Sequence, residues 1–417
     1  MPKLASSLLF GRGIQELDGD INIERMRKER AERLRATMRK HNMASVLLTG
    51  GSNVRYAAGT SPAPLPPGLT YCLFSAERDI YAWDFPGDYQ QCLDQVSWLK
   101  AGHFRISHFW HMGACGQDAT WENAKLFAAE IKDVLSNEGL SGERLGVIGL
   151  DGAALAALKE AGITTIDAWP MMLESRAIKT RDEIACLKMG AAIADAGFYT
   201  VFETLKPGVR DIDVHIAASK TVEEAGGQVL PGTIVVFSGP HTCPRGLVNT
   251  DRIIRPGDIV YVDMTGMNYL GYCTCLYRTF KVGCRPTAKE EDWYKKVLDR
   301  LNGAIDAIKP GGSTADVAKF FKPASEWGYP DEVHALSLDI GHGIGLAGYE
   351  IPIISRLDSF KFPQTFEVGM TIALETIDGE WRIGGARLED MVVVTENGAE
   401  IIDRTPRDEI IVTHAMV

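Results

Sequence analysis

The stretch DMTGMNYLGYCTCLYRTF, residues 263 to 280, decides how the second half of the chain folds. Two runs of β-forming residues surround Gly266 and Gly271, which predicts a hairpin with Asp263 on its first strand and Cys273 and Cys275 on its second. A symmetric turn centred on Tyr269 pairs Asp263 with Cys275 and Thr265 with Cys273, all on one face. A slip of one residue would turn the whole set to the other face. Arg278, one position out of phase with Cys275 and Tyr277, is expected on the opposite face as a structural partner.

Further along lie DIGHGIGLAGYEIP (339–352), with His342, Tyr349 and Glu350, then MTIALETIDG (370–379), with Glu375, and ARLEDMVVVTENG (386–398), with Glu389. A carboxylate inside an apolar, β-branched run is costly unless a partner or an ion compensates it. Glu375 and Glu389 are therefore candidate site residues, as is His342 within its glycine-rich setting.

Upstream, the pattern changes near residue 172. IERMRKERAERLRATMRKHN sets Met26, Leu34 and Met38 at helical spacing, and the short strands ASVLLTG, YCLFS, DIYAWDF and RLGVIGL alternate with helical segments. Residues 1–172 are read as an α/β domain, and residues 173–417 as a second domain of long helices followed by Gly-bounded strands. HFRISHFWHMG (103–113) is read as strand and core in preference to a cation cage.

The chain has 417 residues, 45% hydrophobic and 24% charged, with a net charge of −11 and eight scattered cysteines. That charge disfavours nucleic acid as a partner. The opening MPKLASSLLFGRG is too short an apolar run for a signal peptide, and no later run approaches twenty apolar residues, so no membrane partner and a cytoplasmic location are expected.

The order GDIVYVD, GYCTCLYRTF, GHGIGL, EVGMTIALE and RLEDMVVVTENG, with EIACLKMGAAIAD at the junction, resembles the creatinase, prolidase and aminopeptidase P superfamily. The resemblance implies an α/β N-terminal domain followed by an α+β catalytic domain of pita-bread fold, and a homodimer. In its metal-dependent members two ions sit on two hairpin aspartates, a histidine and two glutamates. Residue by residue, this assigns Asp263, His342, Glu375 and Glu389 to four of the five places, while the bridging aspartate is replaced by Cys275. The histidines of the peptidase members are replaced by Leu338 and Tyr349.

These departures favour the creatinase branch and predict a metal-independent hydrolase of a C–N bond in a small cationic or amide-like metabolite, with no cofactor. His342, Glu375 and Glu389 would be catalytic. Asp263, His241, Cys275, Tyr349 and Glu350 would contact a small cationic or zwitterionic substrate. Creatinase's own acid/base histidine lies upstream of the GD turn, but His241 stands several residues too early to match it. One alternative is a metal-dependent lyase resembling the dimethylsulfoniopropionate-cleaving enzyme, which LLFGRG and SGPHTCP resemble, with one divalent ion (Fe, Mn or Zn) on Asp263, His342, Glu375 and Glu389. Another is an inactive binding module of the same fold. The proline-rich APLPPG loop could reach a partner's site in such dimers.

Overall fold

The computed structural model describes residues 21–60, 69–87, 89–93, 96–110, 115–230, 232–244 and 248–414. LLFGRG, APLPPG and His111 lie outside them. The chain forms two compact units, which divide between Arg176 and Ala177.

The first unit opens with the helix Ile23–Lys40, whose Asn22 cap accepts a hydrogen bond from Arg25 N at 2.9 Å. Its buried stripe includes Met26, Leu34 and Met38, the residues whose spacing predicted it. Behind it is a six-stranded mixed sheet in the order β4 (Phe104–Ile106), β3 (Tyr81–Asp84), β2 (Tyr71–Ser75), β1 (Ser45–Thr49), β5 (Leu145–Ile148), β6 (Thr165–Asp167). Tyr71 stacks on Trp83 with ring centroids 4.9 Å apart, and Trp110 packs on Phe127 at 4.2 Å. His103 stacks on Tyr81, and His108 lies 3.1 Å from Glu130. In the described part of HFRISHFWHMG, Phe104–Ile106 is strand and Phe104 and Trp110 are in the core, while Ile106 and Phe109 are exposed.

The second unit opens with the helix Arg181–Thr204, started by a capping box between Thr180 and Glu183. Among the described residues it is the one helix long and apolar enough to cross a bilayer, which the sequence reading did not find. It is instead a core helix that buries Leu187, Ile193, Phe198 and Val201. A nine-stranded sheet follows. Its main path runs β13 (Glu350–Ile354), β12 (Ile340–Gly343), β14 (Thr371–Glu380), β15 (Gly384–Thr395), β11 (Tyr277–Val282), β8 (Ile259–Asp263), β7 (Val235–Ser238), with β16 (Gly398–Ile401) on β15 and β17 (Ile411–Thr413) on β11.

The sheet has two chemically different faces. Leu374, Ala386, Leu388 and Val392 form one core with Trp293, Val297, Leu301 and Ala304 of the helix Ala288–Asp306. Fully burying each large apolar side chain contributes about 1.5–3 kcal/mol. Glu375, Arg387 and Glu389 alternate with these residues and point the other way.

The hairpin departs from the symmetric expectation. β9 (Asn268–Tyr269) pairs with β10 (Tyr272–Cys273) through a two-residue turn in which Leu270 and Gly271 have φ of 51° and 86°. That is the left-handed pattern that matches strand twist. Asp263 faces Tyr277 and not Cys275, and Thr265 meets Cys275, with Oγ1 3.0 Å from Sγ. The pairing beyond the turn is displaced by two residues from the symmetric register, so face parity survives and Asp263, Thr265 and Cys275 still share a side.

Candidate active site

One rung of the sheet explains how residues distant in sequence come together. Asp263 on β8 pairs with Tyr277 on β11, Tyr277 with Glu389 on β15, Glu389 with Glu375 on β14, and Glu375 with Ile340 on β12. Directly opposed residues project to the same face. Cys275 precedes Tyr277 by two positions and His342 follows Ile340 by two, so both join that face. The glycines around His342 allow the close approach this requires: a Cβ on Gly343 would lie 2.2 Å from Ile351 O, and one on Gly345 2.7 Å from Glu350 Oε2.

At the centre, Cys275 Sγ, an imidazole nitrogen of His342 and a carboxylate oxygen of Glu389 all lie within 4.8 Å of one another, and all three residues are buried. His342 Nδ1 is 3.1 Å from Gly343 O, which places the ring proton on Nδ1 and leaves Nε2 with a free lone pair. Nε2 is 3.9 Å from Glu389 Oε1. Nε2 makes no hydrogen bond, and the Glu389 carboxylate has no partner beyond the neighbouring Cys275 thiol. Such buried, unsatisfied groups are expensive unless something compensates them.

Asp263 and Glu375 flank this trio. Asp263 Oδ1 accepts from Thr265 N at 2.7 Å. Glu375 Oε2 accepts from Arg387 NH2, and the Arg387 guanidinium lies over the Tyr277 ring at 4.4 Å. Burial, with the Glu375 charge beside it, pushes the Asp263 carboxyl up to about 6. Burial and the charges of Glu375 and Asp263 raise Glu389 well above the carboxylate range. Burial and the neighbouring acids likewise raise the Cys275 thiol, while burial lowers His342. The site is therefore dry and short of positive charge, with Arg387 as its built-in compensation.

Of the remaining candidates, Tyr349 stays at this centre and the others do not. Tyr349 is 54% exposed and stacks on His342 with centroids 4.1 Å apart. Glu350 is buried and committed to Lys179 Nζ at 2.8 Å and Ala347 N at 3.1 Å, so it has no face for a substrate. His241 is exposed on the turn Gly239–Thr242. Leu338 belongs to an apolar cluster with Ala335 and Ile377. Arg278 sits on the far side of the sheet, 3.1 Å from Asp390 and paired with Asp403. Sequence reasoning missed Arg387 and Lys179. Arg387 carried a signal, being two positions from Glu389 on the same strand face.

Two family models match the chain: the creatinase/prolidase N-terminal domain over residues 30–178, and metallopeptidase family M24 over residues 185–396. The chain belongs to metallopeptidase family M24. It is 29% identical over 390 residues to a Xaa-Pro dipeptidase of Pyrococcus furiosus, covering 91% of this chain and 99% of that one. The structure of a Xaa-Pro dipeptidase from Bacillus anthracis matches with a TM-score of 0.73 at 27% identity, covering 92% of this chain and 99% of the other. That of an X-Pro aminopeptidase from Thermotoga maritima gives 0.73 at 19% identity, covering 92% and 99%. The fold is accordingly the pita-bread fold behind a creatinase-type N-terminal domain.

M24 membership makes the chain a hydrolase and corrects the activity expected from sequence. A metal-independent hydrolase of a non-peptide C–N bond is overturned, because the family is one of metallopeptidases and these relatives are named for acting on peptides. The alternatives, the lyase and the inactive binding module, gain no support from these matches. The expectation of no cofactor is overturned on the same ground. The loss of one carboxylate does not empty the site, because the unpartnered Nε2 of His342, the Cys275 thiol and the Glu389 carboxylate still present a donor set that suits a cation.

Proposed function

We propose that the chain is a metal-dependent hydrolase of the amide bond in a small, peptide-like substrate with a free amino group. The observation that carries this reading is the trio Cys275, His342 and Glu389, buried and mutually close, with the imidazole Nε2 unpartnered and the Glu389 carboxylate facing the Cys275 thiol. A divalent ion held by these residues would supply Lewis-acid polarisation of a carbonyl and activation of water at neutral pH.

The chain's own groups have definable tasks around that chemistry. His342 is fixed in orientation by Gly343 O and covered by Tyr349, which limits solvent access. Arg387 holds Glu375 and sets its charge against the acids on the rung. Asp263, 7% exposed, offers a negative group to a substrate ammonium. Leu338 and Tyr349 bring no imidazole where the peptidase members of the resemblance have histidines, which disfavours a simple copy of their substrate preference.

The test is a panel of dipeptides with and without proline in second position, assayed after loading with Zn, Co or Mn. Metal-dependent hydrolysis of at least one, reduced a hundredfold or more by His342→Ala in a folded variant, is expected. Amide hydrolysis absent across the loaded panel would overturn the reading.

A further inference from the structure

We propose that the centre holds a single ion with a thiolate ligand, on Cys275 Sγ, His342 Nε2 and Glu389, and not the carboxylate-bridged pair. This deepens the reading above and rests on it only for the chemistry the ion performs.

The geometry selects three residues out of five. Cys275, His342 and Glu389 bring their ligand atoms within 4.8 Å of one another, a grouping that does not extend to Asp263 or Glu375. Those two acids are already engaged, Asp263 by Thr265 N and Glu375 by Arg387. A second ion among them would sit beside a buried guanidinium whose positive charge is already matched to Glu375 and Asp263. Like charges in a dry site repel strongly.

The thiol changes the chemistry as well as the count. A carboxylate has two oxygens with which to span two ions, whereas Cys275 offers one sulfur. Thiolate prefers softer ions such as Zn, Co or Fe, and oxygen-rich sites suit Mn. Thr265 Oγ1, 3.0 Å from Sγ, is placed to donate a hydrogen bond to the thiolate, the kind of outer contact that fixes a ligand. Binding exchanges the thiol proton for the ion, and that proton leaves to solvent.

The full chain, freed of metal by chelation, is titrated with Co(II) under anaerobic conditions and followed by absorption spectroscopy and by metal content. One equivalent should bind, with a near-ultraviolet sulfur-to-cobalt charge-transfer band. Cys275→Ser should lose that band and weaken binding tenfold or more. Cys273→Ser, whose sulfur faces Gly271 O and Leu346 O, should keep both. Cys275→Asp should lose the band. Two equivalents in the natural chain, absence of the band, or no cobalt bound at all would overturn the proposal, and the natural chain and Cys273→Ser decide it even if the Cys275 variants fail to fold. A one-ion, thiolate-ligated protein that cleaves no amide would sink the proposed function and leave this inference standing. Amide cleavage with two ions and no band would do the reverse.

Discussion

Lys179 Nζ lies 2.8 Å from Glu350 Oε2, and both side chains are 1% exposed. The second Glu350 oxygen accepts from Ala347 N at 3.1 Å, so this ion pair anchors the loop between His342 and β13. Gly345 has no Cβ because one would lie 2.9 Å from Lys179 Cε.

Removing one partner leaves a buried charge uncompensated. Lys179→Met should therefore lower stability by about 3–5 kcal/mol in urea denaturation. Adding Glu350→Gln, which keeps an acceptor for Ala347 N, should restore at least half of that loss. A single variant within 1 kcal/mol of the natural chain would refute the buried-pair account, about the scale of an exposed pair.

Tyr349 is the exposed lid of the site and not part of the core. Tyr349→Ala should change stability by no more than about 0.5 kcal/mol, the range for surface positions. It should lower kcat/KM about tenfold, or roughly 1.4 kcal/mol of transition-state stabilisation, by uncovering His342. Tyr349→Phe should retain activity, since the ring makes the contact. Equal kcat/KM in the natural enzyme and Tyr349→Ala would show that the stacking has no catalytic consequence.

On the far face of the sheet, Asp390 and Asp403 share Arg278. Burial and the Asp390 charge push Asp403 up to about 7, against an ordinary value of 3.8. Between those values the folded state holds the proton more tightly than the unfolded state, so stability falls as pH rises from about 4 to about 7. Asp403 is therefore a cost to folding at neutral pH. Asp403→Asn should flatten that part of the pH–stability profile of the second unit. An unchanged slope would exclude Asp403 as its source.

Glu130 in the first unit shows the opposite sign. Burial alone would raise its carboxyl, but hydrogen bonds from His108 and Arg105, at 3.1 and 3.0 Å, hold it at about 2. Stability from these contacts is complete above about 4.5 and is lost as pH falls toward 2. With the carboxylate partly open to water, about 1–2 kcal/mol is expected. Glu130→Gln should shift the acid unfolding midpoint of that unit less than one pH unit upward while removing its dependence on this group. A natural-chain profile that is flat between pH 5 and 2.5 would contradict the assignment.

Periodicity was a sound guide where one face meets a core: Met26, Leu34 and Met38 were visible as a stripe, and Glu375 and Glu389 stood out as acids within apolar strands. The hairpin register was not visible, because it depends on Leu270 adopting a left-handed conformation that no propensity assigns to leucine. Parity rescued the site, since a two-residue displacement leaves faces unchanged. Lys179 was invisible for a different reason. Its partner lies 171 residues away, and only the folded sheet brings the two together. Cys275 reads in the sequence as a gap in a ligand set, and only the fold shows that its sulfur is buried within 4.8 Å of His342 and Glu389 ligand atoms.

The rung from Asp263 to Ile340 also dictates when competence can appear. Its members come from five strands, and no local fragment of the chain contains the trio at its centre. Pairings of such long sequence separation close late and slowly. During refolding, helical signal should return well ahead of turnover, and the delay between them measures how long the sheet takes to zip shut.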